Sequence, residues 1–152
     1  MEDFSPNTTV SGLENKKGSF ILAVLAGIGA AIVSSIVWAL ITYWTNAHYS
    51  LLALIVGAFI GLAIRWLAKG KGPMYGIIAV ILTLIACVWG DFCSTLAYLG
   101  KEEGLGFGEA LFSVDFSYFF EIAFAGVGFM TVAFYAFAAY LAYMLAVDKD
   151  PE

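Results

Sequence analysis

The stretch Leu51–Lys71, LLALIVGAFIGLAIRWLAKGK, narrows most what this chain can fold into. Its apolar part is long enough for a helix to cross a bilayer, which takes about 20 residues. A ladder of small side chains four apart (Ala53, Gly57, Gly61) runs along one helical face. Lipid tails are as apolar as leucine, so helices in a membrane associate through close backbone approach and dispersion, which small residues permit. The basic cluster Arg65, Lys69 and Lys71 closes the segment. Such clusters stay on the cytoplasmic side, where long basic side chains reach out to lipid headgroups.

Composition extends this reading to the whole chain. Of 152 residues, 62% are hydrophobic and only 12% charged. Soluble domains carry roughly a quarter charged residues, so a water-soluble fold of this chain would leave apolar surface uncovered. The apolar runs predict an all-α integral membrane four-helix bundle, with spans at about 19–43, 50–68, 74–99 and 127–147. The first span carries its own ladder, Ala23, Gly27, Ala31, Ser35 and Ala39. Two ladders on consecutive helices predict that spans one and two form a closely packed antiparallel hairpin. Trp38, Tyr43 and Trp44 predict an aromatic belt at the outer interface.

Lysine and arginine sort by side. With the amino terminus inside, Lys16, Lys17, Arg65, Lys69, Lys71 and Lys149 are inner, and Lys101 is the outer exception. That asymmetry predicts both termini in the cytoplasm, with residues 1–18 and 148–152 as cytoplasmic tails. Between spans three and four, residues 100–126 form an outer loop and an amphipathic interfacial segment before the last span. Glu109, Ser113, Ser117 and Glu121 make one polar stripe on a Phe-rich helix over Glu109–Ala125, suited to lying in the interface. Gly126 and Gly128 suggest a bend into span four; the alternative is one tilted helix from Ser117 to Val147.

The run from Gly27 to Asp91 resembles a family of small bacterial four-span inner-membrane proteins. The likeness is carried by IVWALITYWT in span one, Gly57-x-x-x-Gly61-x-x-x-Arg65, Lys69-Gly70-Lys71-Gly72, and Tyr75-Gly76-Ile77-Ile78-Ala79 leading to Gly90-Asp91. Phe134–Tyr140 resembles that family's closing helix. The resemblance implies the topology and an inner-membrane location, and it transfers no active site.

Chemistry-bearing residues are few. Thr83, Cys87, Asp91 and Thr95 share one face of span three as a candidate polar intramembrane face. A carboxylate within a span is a functional candidate because an isolated charge is expensive there. The opposing reading puts Asp91 about 26 Å along the helix from Met74, near the outer surface. His48, Asp91, Asp115 and Glu121 could converge at the outer face, but no pair among them has metal-ligand spacing. Cys87 and Cys93 are six apart and too distant to bridge, which argues against thiol redox chemistry. No catalytic set, phosphate loop or nucleic-acid-binding basic patch is present, and no cofactor is implied. The reading is a non-enzymatic accessory or scaffold subunit whose partners are the lipid bilayer and a membrane protein or a second copy. The alternative is a homo-oligomeric channel or proton/ion-coupled transporter using Asp91.

Overall fold

A computed structural model describes residues 6–46, 51–69, 72–112, 116–125 and 127–147, with side chains from residue 19 onward except at 116, 122, 123 and 125. The described residues are helical or in short connections. The helices are α1 (Pro6–Thr45), α2 (Leu52–Ala68), α3 (Pro73–Glu102), α4 (Phe107–Phe112), α5 (Phe119–Ala125) and α6 (Phe129–Ala146), with a 3₁₀ turn at Phe116–Tyr118. Among the described residues, three segments are long and apolar enough to cross a membrane: Ser19–Thr45, Pro73–Glu102 and Phe129–Ala146. The protein is thus an all-helical bundle of membrane character, dressed in outward-facing Ile, Leu and Phe. The segment α2 is 17 residues, about 26 Å at 1.5 Å per residue, against a hydrocarbon core of about 30 Å.

The long helices alternate in direction and occupy four corners in the order α1, α2, α6, α3, with α2 and α3 also touching across the short diagonal. The α2 ladder does not serve the α1–α2 hairpin expected from sequence. Gly57 lies against the backbone of Ala138, and Gly61 against that of Ala142, so its smallest face receives α6. The complementary stripe is Ala138, Ala142 and Ala146, all buried. The α1 ladder instead faces a three-way seam: Gly27 meets Leu82 of α3 and Ile64 of α2, and Ser35 Oγ donates to the Ala86 carbonyl of α3 at 3.4 Å. Spacing alone identifies a close-contact face; which helix fills it depends on the other small-residue stripes available.

Three expectations change. The segment expected as a tail joins α1, which is continuous from Pro6. Proline is tolerated in a first turn, and adding residues to a helix already nucleated by the long apolar run is far easier than starting one. Trp38 is not part of a belt: it is 1% exposed, packed where Gly90 leaves room for its ring, while Trp44 stays exposed. The expected Glu109–Ala125 helix is divided into α4, the 3₁₀ turn and α5, with α4 and α5 each settling on its own anchor on α3. Ala110 sits against Gly100, and the Phe119 ring lies 4.6 Å from that of Phe92 and 5.9 Å from that of Trp89.

Local caps set these junctions. Glu103, Gly104 and Leu105 end α3 in a Schellman motif: Gly104 N–H donates to Lys101 O, Leu105 N–H to Gly100 O, and Gly104 takes φ 76°. The chain also breaks between α5 and α6, with Gly128 extended at φ −94°, ψ 172°. Pro73 opens α3. Lys71, His48, Ser113, Asp115, Gly126 and the tail from Asp148 to Glu152 lie outside the described residues.

Candidate functional site

Polar side chains are rare in this bundle, and most tie one helix to another. At the basic end, Ser19 Oγ donates to the Ala68 carbonyl (2.7 Å) and Tyr75 Oη to Ser19 Oγ (3.0 Å), joining α1, α2 and α3. At the opposite end Ser94 Oγ donates to Thr42 Oγ1 at 2.7 Å, joining α3 to α1. Lys101 Nζ donates to the Tyr43 carbonyl at 2.6 Å and lies 5.0 Å from the centroid of that ring.

Between these ends lies the chemically richest group. Asp91 on α3 is 8% exposed, and Tyr135 Oη on α6 lies 2.7 Å from its Oδ2 and 3.2 Å from the Cys87 carbonyl oxygen. A phenol has one proton to donate. With the carboxylate ionised, that proton goes to Asp91 in a short charge-assisted bond.

The four residues of the expected polar face differ in their surroundings. Thr83 and Cys87 are fully buried; Thr83 Oγ1 is without a hydrogen-bond partner among the described residues. Thr95 Oγ1 donates to the Asp91 backbone carbonyl at 2.9 Å, an intrahelical bond that spares it any cross-helix role. Glu121 is exposed on α5. No group of three His, Cys, Asp or Glu among the described residues has metal-site geometry. Arg65 and Lys69 are exposed at the basic end.

Sequence reasoning missed Tyr135 as the partner of Asp91. The signal was present: Tyr135 falls three residues before Ala138 on the stripe that continues through Ala142 and Ala146. A tyrosine on a helix-packing stripe is buried and needs a partner for its hydroxyl. Trp38 has the same kind of signature, lying between Ser35, Ala39 and Thr42 on the α1 contact face. Its Nε1 is buried without a partner among the described residues.

Among the described residues, grooves open between the helices. One of about 210 Å³ lies between α1 and α2, lined by residues including Val37, Ile55 and Phe59. One of about 360 Å³ lies between α1 and α3 under α4, lined by residues including Ile36, Trp89 and Phe112. One of about 280 Å³ lies between α2 and α6, lined by Leu54, Met130, Ala133, Phe134 and Phe137. Apart from Ser34, Ser35, Cys93, Met130 and two indoles, their walls are hydrocarbon and phenyl. Comparison with protein-family models, curated proteins and solved structures returned no match.

Proposed function

We propose that the protein is a non-enzymatic accessory or scaffold subunit of a bacterial inner membrane, binding membrane partners or lipid through its lateral grooves. The observation that carries this reading is the lining of those grooves. Apolar walls between outward-facing helices suit acyl chains or the side chains of a partner helix, and give a hydrated ion nothing to coordinate. The exposed aromatics near the α4–α6 end, Phe112 at 92% and Phe129 at 87%, add apolar surface where an interfacial partner would dock.

In this reading the bundle has four spans with both termini in the cytoplasm. Support for α2 as a span comes from connectivity: α1 and α3 run in the same direction, so α2, joined to each by a short link, must return through the same thickness. Its 17 residues are at the lower limit for crossing. The exposure of Arg65 and Lys69 supports a role for them at the inner headgroups. Photocrosslinkers at Phe59 and Phe137 test the function: lipid or membrane-protein adducts at both positions support it, and a monomer free of adducts sinks it. A reporter fused after Pro151 tests the topology, with a cytoplasmic signal expected.

A second reading rests on the Asp91–Tyr135 pair, a buried carboxyl group with a phenol oxygen 2.7 Å from its Oδ2. In a homo-oligomeric channel or proton-coupled transporter, Asp91 would be the carrier. Flux through liposomes that Asp91→Asn abolishes would favour transport, and unchanged flux would remove Asp91 from it.

A further inference from the structure

We propose that the groove between α1, α3 and α4 is a binding site for an amine-headed zwitterionic phospholipid. One acyl chain lies in the groove, and the phosphate rests on Lys101. The proposal builds on the reading that this chain sits in a bilayer and takes lipid laterally, and it specifies the ligand and the residues.

The groove holds about 360 Å³, within the size range of small-molecule sites. Its walls include Ile32, Ile36 and Ala39 from α1, Trp89 and Leu96 from α3, and Phe112 from α4. From Ile32 to Ala39, and from Trp89 to Leu96, each wall runs about 10 Å along its helix. That gives a slot parallel to the helices, the direction in which acyl chains lie.

The same seam leads upward to a cation. Tyr43 is one turn beyond Ala39 on α1, and Lys101 roughly a turn and a half beyond Leu96 on α3. Lys101 is half-buried, its Nζ fixed by the Tyr43 carbonyl and ring. Among the described residues no carboxylate lies within ion-pair distance of it. An ammonium offers three donors, and one is used by the carbonyl. A half-buried charge with no carboxylate in ion-pair reach among the described residues gains from an anion that arrives with its own apolar anchor. A phospholipid phosphate above an acyl chain is such an anion.

The surrounding acids choose the headgroup. Glu102 and Glu103 follow Lys101 directly and are exposed. Glu109, exposed on α4, has its Oε2 accepting from Gly106 N–H at 3.3 Å. These carboxylates disfavour a headgroup that is anionic throughout and favour one that carries an ammonium beyond its phosphate.

Native mass spectrometry of the full chain, titrated with phosphatidylethanolamine and phosphatidylglycerol, tests this. Retention of the ethanolamine lipid over the glycerol lipid is expected. Lys101→Gln should weaken ethanolamine-lipid binding roughly tenfold. Glu102→Gln with Glu103→Gln should erase the preference while binding persists. Cys93→Trp, which fills the groove, should lower retention of both lipids; circular dichroism and gel filtration report whether each variant folds, and Lys101→Gln, at the rim, carries the test if Cys93→Trp does not. Equal lipid retention by Lys101→Gln overturns the proposal. So does displacement of the lipid by millimolar inorganic phosphate, which would mark a site for the free ion. If Lys101→Gln retains lipid unchanged while the crosslinks at Phe59 and Phe137 persist, the phospholipid site fails and the accessory role survives.

Discussion

Replacing Gly61 by alanine probes the contact on which the α2–α6 pairing depends. A β-carbon built there lies 2.7 Å from the Ala142 carbonyl oxygen, 3.1 Å from Ala142 Cα and 3.0 Å from Leu145 Cβ, against the 3.4 Å at which ordinary contact begins. The first obstacle is backbone, so no rotamer change relieves it, and α2 must move away from α6. Overpacking of this kind costs typically about 1–3 kcal/mol. Losing the Cα–H contact to that carbonyl adds about 0.5–1 kcal/mol. Against this, alanine gains about 0.5–1 kcal/mol over glycine inside a helix. The net expectation is a loss of about 2 kcal/mol, close to a thirtyfold shift toward unfolding.

Gly29 supplies the internal control, since a β-carbon there meets nothing within 4 Å. Gly29→Ala should therefore be neutral or stabilising by up to about 1 kcal/mol. Reversible unfolding of both variants in one detergent or bicelle system, followed by circular dichroism, gives the comparison. If Gly61→Ala proved as stable as Gly29→Ala, α2 and α6 would not meet at their backbones, and the arrangement of the four corners would be wrong.

Other expectations follow from single contacts. Tyr135→Phe removes the phenol from Asp91 and should cost about 1.5–3 kcal/mol, read from the same unfolding curves; Tyr135→Phe matching the parent would deny the bond a structural role. Thr42 and Ser94 should show a coupling of about 1 kcal/mol in a double-mutant cycle of Thr42→Val and Ser94→Ala, and additive effects would mean the 2.7 Å bond contributes nothing. Gly104→Ala, at φ 76°, should destabilise the end of α3 by about 1 kcal/mol, visible as faster amide exchange at Leu105. Single cysteines at Phe112 and Phe129 should label readily, whereas one at Trp38 should not; labelling at Trp38 would reopen the belt assignment.

Much of the candidate site could be read from sequence only as separate parts. Asp91 stands out in any apolar run, and the spacing of Thr83, Cys87, Asp91 and Thr95 is a property of one helix. Their fates differ because neighbours differ: Thr95 turns back to its own backbone, while Asp91 is reached by a tyrosine 44 positions away. Helical periodicity orders residues around one axis and carries no information about which other helix approaches that side. The division of the segment between α3 and α6 also depended on anchors, Gly100 for α4 and Trp89 with Phe92 for α5, that lie on α3 rather than within the segment.

What the sequence determined by itself is the environment and the rods. Apolar runs without charge can satisfy their backbone in lipid only as helices, and small residues four apart leave each helix one face for close approach. Tertiary structure decided the pairings. Gly57 and Gly61 receive α6 because Ala138, Ala142 and Ala146 form the matching stripe, and Trp38 is buried because Gly90 makes room for it. Those outcomes rest on complementary shape between distant segments, a quantity that no single segment contains.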